Sequence, residues 1–278
     1  MEIKAVDVAK LRKMTGAGMM DCKKALVEAD GDFEKAQEII REKGKLVAAK
    51  RADRETSEGS VIAKTNADNT KAILVCLGCE TDFVANNAEF QSLANSIADA
   101  AIENMPESKE ALEGLSIAGQ TIQEAVTQQT GKTGEKHVIA YYSKLEAPYI
   151  STYIHINGKV ASIVGFSKVI PAEAGREIAM QITAMNPVSV SKADCPAHIV
   201  EKELEIYREQ IKLDPKMAGK PEQMLENIAQ GKLAKFFKEN TLEEQIFVKD
   251  GKISVAEYLK TVDPQVKVTG FARFSLND

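Results

Sequence analysis

Residues 60–105, SVIAKTNADNTKAILVCLGCETDFVANNAEFQSLANSIADAAIENM, change their apolar period in mid-course, from alternation to a helical spacing. Ser60–Thr65 and Lys71–Leu77 read as two strands joined around the polar turn Ala67-Asp68-Asn69. Asn87–Met105 then puts Phe90, Leu93, Ile97, Ala101 and Ile102 on one helical face, and Pro106 closes the helix. A hairpin and a helix with one apolar face each bury those faces against one another. The plan of 59–105 recurs in 149–186 without residue-level identity. Strands around His137–Leu145 and Tyr149–Ile156 are followed by the Asn157-Gly158 hairpin turn, a strand Val160–Val169 and a helix Ala172–Met185 that ends at Asn186-Pro187. The fold class is α+β, with a core of two hairpin-plus-helix subdomains.

Outward from this core, residues 4–44 read as three short helices. The first places Val8, Leu11 and Arg12 at helical spacing and stops at Thr15-Gly16, and the second runs from Met19 to Ala29 before Asp30-Gly31. Asp32 can cap the third, whose Phe33, Ala36, Ile39, Ile40 and Lys43 precede Gly44. Lys45–Glu58 loses the apolar stripe and reads as a linker. On the far side, 196–239 reads as an αα-hairpin broken near Asp214-Pro215 and Gly219-Lys220-Pro221. Ser254–Glu257 matches a capping box, and Val266–Leu276 is a final strand. The expected divisions are 1–54 (three-helix domain and linker), 55–135 (first core subdomain), 136–195 with 240–278 (second core subdomain) and 196–239 (inserted helical hairpin).

Composition narrows the function. With 44% hydrophobic and 28% charged residues the chain is ordinary for a globular protein. A net charge of −5 lacks the basic surplus that nucleic-acid binding needs, and with no tryptophan there is little to stack bases on. No apolar run approaches the ~20 residues of a membrane span, and the N-terminus shows no apolar signal region. Together with four scattered cysteines, this points to the cytoplasm. Cys76-x-x-Cys79 has redox spacing but falls in an expected strand, and His137, His155 and His198 are too dispersed for a metal set. No catalytic residue, metal or cofactor is expected.

Two segments invite a functional reading beside the structural one. In Leu11–Leu26, LRKMTGAGMMDCKKAL, the glycines precede a helix, but no strand leads into them and a P-loop ending is missing, so they make a tight interhelical turn. Met19 and Met20 point about 100° apart on a helix, so one of them is left for a partner, a use that suits methionine's adaptable side chain. In Cys79–Asn87, CETDFVANN, Thr81 or Asp82 can cap the following helix with Phe83 in the core; equally, the loop can present Phe83 beside an acidic group as an interface anchor.

Both segments resemble the signature motifs of the elongation factor Ts family: TGAGMMDCKKAL in its N-terminal helical domain and TDFVA in its core. The linker, the helical hairpin and the ending Val268–Phe274, VTGFARF, also sit where that family has them. The resemblance implies a guanine nucleotide exchange factor for elongation factor Tu, doing no covalent chemistry and binding Tu both with GDP and empty. It implies that Thr81, Asp82, Phe83 and Val84 form the loop that disturbs the partner's Mg²⁺ site. Met19, Met20 and Lys23 would touch the same GTPase domain, and Ala179–Pro187 a second domain of the partner. The hairpin could join two copies of the chain. The chain departs from the family at Cys76, Gly78 and Gln181, where Glu, Asn and, in some members, His are usual. It also ends at Asp278 without the further helical module of some relatives. The rival reading takes residues 4–44 as a ubiquitin-associated-like domain that binds without exchange activity.

Overall fold

The computed structural model describes residues 3–278; Met1 and Glu2, part of the expected first domain, lie outside the described residues. Three helices open the chain: α1 (Ala5–Thr15), α2 (Met19–Glu28) and α3 (Phe33–Lys50). The first half of the core follows as β1 (Glu58–Thr65), β2 (Lys71–Cys79), α4 (Asp82–Ala85), α5 (Ala88–Asn104), α6 (Lys109–Glu113), β3 (Ser116–Ile117), β4 (Gln120–Thr121), α7 (Ile122–Thr133) and β5 (Val138–Glu146). Then come β6 (Tyr149–Ile154), β7 (Val160–Phe166), α8 (Ala172–Met185), the hairpin helices α9 (Ala197–Leu213) and α10 (Glu222–Asn240), α11 (Val255–Val262) and β8 (Val268–Ser275). The α+β expectation holds.

Two antiparallel sheets, β1-β2-β5 and β6-β7-β8, stack face to face with helices on both outer sides. Alternation along β2 makes this possible. Ile73, Val75, Leu77 and Cys79 face α5 and α7, while Ala72, Leu74 and Cys76 face the second sheet. Every residue of β7 is buried as well, so the two central strands read as apolar runs. On the far side Val164 and Phe166 meet Ile178, Ile182 and Leu259 of α8 and α11. The α9–α10 hairpin closes on its own small cluster, Leu233, Phe236 and Phe237 against Ile199, Leu204 and Tyr207.

Three sequence readings need correction. First, Gly44 does not end the third helix, and the supposed linker Lys45–Glu58 begins as helix up to Lys50. Gly44 is buried because α3 crosses α7 there: a Cβ added to Gly131 would lie 2.7 Å from the Gly44 Cα. Here glycine allows two backbones to approach, and the helix runs on. Second, 136–146 does not join the second subdomain. Strand β5 pairs with β2, from Lys71↔Glu146 to Gly78↔Val138, and the chain changes sheets at Ala147-Pro148. Alternation reveals a strand but not its partner. Third, the helix read at 119–130 starts later, at Ile122, behind a Thr121–Glu124 capping box, and runs to Thr133.

Candidate functional site

Strand β2 delivers the CETDFVA segment to the end of the first sheet. A helix of four residues has too few internal bonds to hold itself, so α4 depends on what secures its ends. At its start Thr81 caps the turn, its Oγ1 accepting from the Val84 N–H at 3.5 Å. The Thr81 N–H and hydroxyl both donate to the Glu135 carboxylate, at 3.0 and 2.6 Å. At its end Gln91 Nε2 donates to the Ala85 carbonyl at 2.6 Å. Between these anchors Phe83 is 88% exposed, with Asp82 exposed beside it and Val84 half-buried. The reading of Phe83 as a core residue is thereby excluded. A phenylalanine left in water forgoes about 1.5–3 kcal/mol of burial.

Met19 and Met20 open α2 directly after the Gly16-Ala17-Gly18 turn. Both are exposed, 45% and 65%, and Lys23 is exposed one turn on, while Cys22, Ala25 and Leu26 fill the small core. Helical geometry alone left one methionine for a partner, whereas the resemblance implied both. Gly16 makes the turn with φ 69°, and a Cβ there would meet Lys132 Cε and Nζ at 2.5 and 2.7 Å. Lys132 in turn pairs with Glu89 in the first turn of α5 at 3.8 Å. The two motifs, distant in sequence, thus meet the same short stretch at the end of α7.

That stretch, Gly131–His137, was given no functional role by the sequence, and it is where the site is assembled. Lys136 N–H donates to Glu80 at 2.6 Å, and its Nζ donates to the carbonyls of Ala52 and Arg54. Arg51 donates to both Glu80 oxygens, at 2.9 and 2.8 Å. The Lys136 N–H first, and Arg51 with it, hold the Glu80 carboxyl below its usual range. The available signal was Gly131 inside a helical pattern, which marks a close backbone approach.

His137 lies beneath this clamp, buried beside Phe90 with ring centroids 5.5 Å apart. Its Nδ1 lies 2.8 Å from the Glu135 carbonyl, which can only accept, so the proton sits on Nδ1. Nε2 is buried without a partner. Burial therefore lowers the His137 pKa. A histidine depressed in the folded state contributes stability above the unfolded value, ~6.5, and loses it as pH falls below that. The unfolding free energy measured in urea is expected to drop between pH 7.5 and 5.5, by at most ~1.4 kcal/mol per pH unit, and His137→Gln should flatten the slope. An unchanged slope in the variant would put the pH sensitivity elsewhere.

The departures from the family pattern find places too. Cys76 and Cys79 lie on opposite faces of β2, which rules out a disulfide between them, and burial pushes each thiol up to about 12. Gly78 makes room for Thr56: a Cβ would lie 3.0 Å from its Oγ1 and 3.2 Å from its Cβ. Gln181 points inward, 2% exposed, donating to Gln245 Oε1 and the Ile246 carbonyl and accepting from the Val248 N–H. It holds the 245–248 loop, while Met180, Met185 and Val188 near it are exposed. Among the described residues no group of three His, Cys, Asp or Glu gathers to hold a metal, and no helix is long and apolar enough to cross a membrane.

Known proteins share this chain's sequence along nearly all its length. The family model described as elongation factor Ts matches residues 80–278. A Porphyromonas gingivalis protein described as elongation factor Ts is 49% identical over 278 residues, covering 100% of this chain and 99% of its own. One from Christiangramia forsetii is 48% identical over 277 residues, 99% of each chain, and one from Flavobacterium psychrophilum 46% over 276 residues, 99% and 98%. With the TDFVA turn displayed and the match this extensive, the chain belongs to the elongation factor Ts family of translation elongation factors.

Proposed function

We propose that this protein is the guanine nucleotide exchange factor for elongation factor Tu, acting in the cytoplasm by binding and without covalent chemistry. The observation that carries this is Phe83, 88% exposed on a turn fixed at both ends. In this reading Phe83 wedges between helices of the partner's GTPase domain, Asp82 disturbs the Mg²⁺ region and Val84 packs beside the wedge. Met19, Met20 and Lys23 hold the same domain, and Ala179–Pro187, with Met180 and Met185 exposed, grips a second one. Two footholds give the wedge leverage. Linkage requires nucleotide to weaken the factor's binding in return, so incoming GTP releases it.

The Cys76 and Gly78 departures lie behind the turn and leave its display intact, whereas Gln181, turned inward, makes no contact with a partner. The α9–α10 hairpin serves as a site for joining two copies of the chain. A purely adaptor role for residues 4–44 gains no support, because α3 is docked on α7 through Gly44 and Gly131.

The test is release of a fluorescent GDP from elongation factor Tu with catalytic amounts of this protein. Strong acceleration that vanishes in Asp82→Ala/Phe83→Ala is the expected result. No acceleration, from folded protein and a cognate partner, would overturn the reading.

A further inference from the structure

We infer that Glu135 is a positioning residue for the exposed turn Asp82–Ala85: its carboxylate, by taking both donors of Thr81, selects the conformation in which Phe83 stands in solvent. The inference deepens the exchange reading and rests on it for its functional arm alone.

The geometry is specific to a carboxylate. The Thr81 N–H is at 3.0 Å from one Glu135 oxygen and its hydroxyl at 2.6 Å from the other, so the residue is gripped at both of its donors. A charged acceptor makes such bonds short and strong. Glu135 is half-buried and its direction is set by the chain end that bears it. Helix α7 stops in the left-handed Gly134, φ 76°, whose N–H donates to the Thr130 carbonyl, and the Glu135 N–H donates to Thr133 Oγ1 at 3.1 Å. On its other side the Glu135 carbonyl is held by His137. The neighbouring residues repeat the pattern in reverse, with Glu80 accepting from the Lys136 N–H. Two adjacent residues of one segment, Glu80-Thr81, thus interlock with two of the other, Glu135-Lys136.

This interlock has a reason. With Phe83 outside and Ala85 the turn's buried residue, little apolar burial keeps α4 in place. Without Glu135, Phe83 is free to fold back onto the protein. A binder whose competent conformation is only a fraction of its population binds more weakly by that fraction. Removing Glu135 should therefore raise the amount of factor needed and spare the rate at saturation. A residue that touched the reacting site would instead lower the saturated rate.

The test uses the full chain with Glu135→Ala, Glu135→Gln and Thr81→Val. Hydrogen exchange of the Val84, Ala85 and Asn86 amides, read in the free protein, needs no partner. Glu135→Ala is expected to speed it about tenfold and Glu135→Gln, which keeps one acceptor, about threefold. Fluorescent-GDP release from elongation factor Tu should show KM for the Tu–GDP complex raised about tenfold in Glu135→Ala with kcat within twofold. Adding Glu135→Ala to Thr81→Val should change little more than the backbone contact. Unchanged amide exchange in both Glu135 variants overturns the inference, as does a loss confined to kcat. If Phe83→Ala leaves GDP release untouched, the exchange reading fails, while the amide measurement still decides the role of Glu135. Should Glu135→Ala fold poorly, Glu135→Gln gives the same readings at smaller amplitude.

Discussion

Phe83→Ala should slow factor-catalysed GDP release at least ~30-fold, because an interface anchor contributes ~2 kcal/mol or more and each ~1.36 kcal/mol is a factor of ten. The side chain is 88% exposed, so its removal deprives the free protein of almost no packing. Unfolding stability should stay within about 0.5 kcal/mol of the parent. The control lies seven residues on. Phe90, on the face of α5 turned to β2, is fully buried and packs beside the His137 ring. Phe90→Ala should cost roughly 3–5 kcal/mol of stability. Two phenylalanines in one segment are thereby separated by opposite signatures, one in exchange and one in unfolding. A loss below threefold in folded Phe83→Ala would remove it from the mechanism.

The parts legible in the sequence were those set by local period and local caps. The β1–β2 hairpin, α5 with its Phe90–Ile97–Ala101 face, α8 and the Ser254 capping box all fall where alternation, helical spacing and turn residues put them. Exposure at Phe83 was not decidable from its own surroundings, since Thr-Asp-Phe before a helix suits a capped core residue as well as a displayed one. What settled it was the resemblance and then the burial. Illegible altogether were the features that need a distant partner. Strand β5 alternates equally well for either sheet, yet hydrogen bonds to β2. Glu135 is one carboxylate among many until the fold brings Thr81 to it across 54 residues. Gly44 looked like a helix stop because its partner at the crossing, Gly131, is 87 positions away in sequence and only the tertiary contact reveals it.

That crossing yields the second large effect. Alanine at Gly131 places its methyl 2.7 Å from the Gly44 Cα, whereas alanine at Gly44 meets nothing nearer than 3.7 Å. Carbon atoms rest near 3.5–4.0 Å, so the first substitution must part the helices by about 1 Å and the second need not move them. Both positions are helical, and each gains up to ~1 kcal/mol in propensity from Gly→Ala. Gly44→Ala is therefore expected to be neutral or stabilising. Gly131→Ala sets that gain against an overpacking cost of ~1–3 kcal/mol, which no side-chain rotation relieves because the obstructing atom is backbone. The functional consequence should exceed the thermodynamic one. Helix α3 supports α2, which carries the Met19–Met20 face, and Lys132, next to Gly131, packs under the Gly16 turn that leads into it. A shift of ~1 Å between the two footholds misplaces one of them whenever the other is seated, and misplacement on this scale can cost ~100-fold; for a flexible methionine contact about tenfold is expected. Urea unfolding and GDP release, measured on both alanine variants, decide the matter. Equal behaviour of the two would mean that the helices yield freely at the crossing, and the N-terminal helices would then act as a tethered foothold instead of a rigid one.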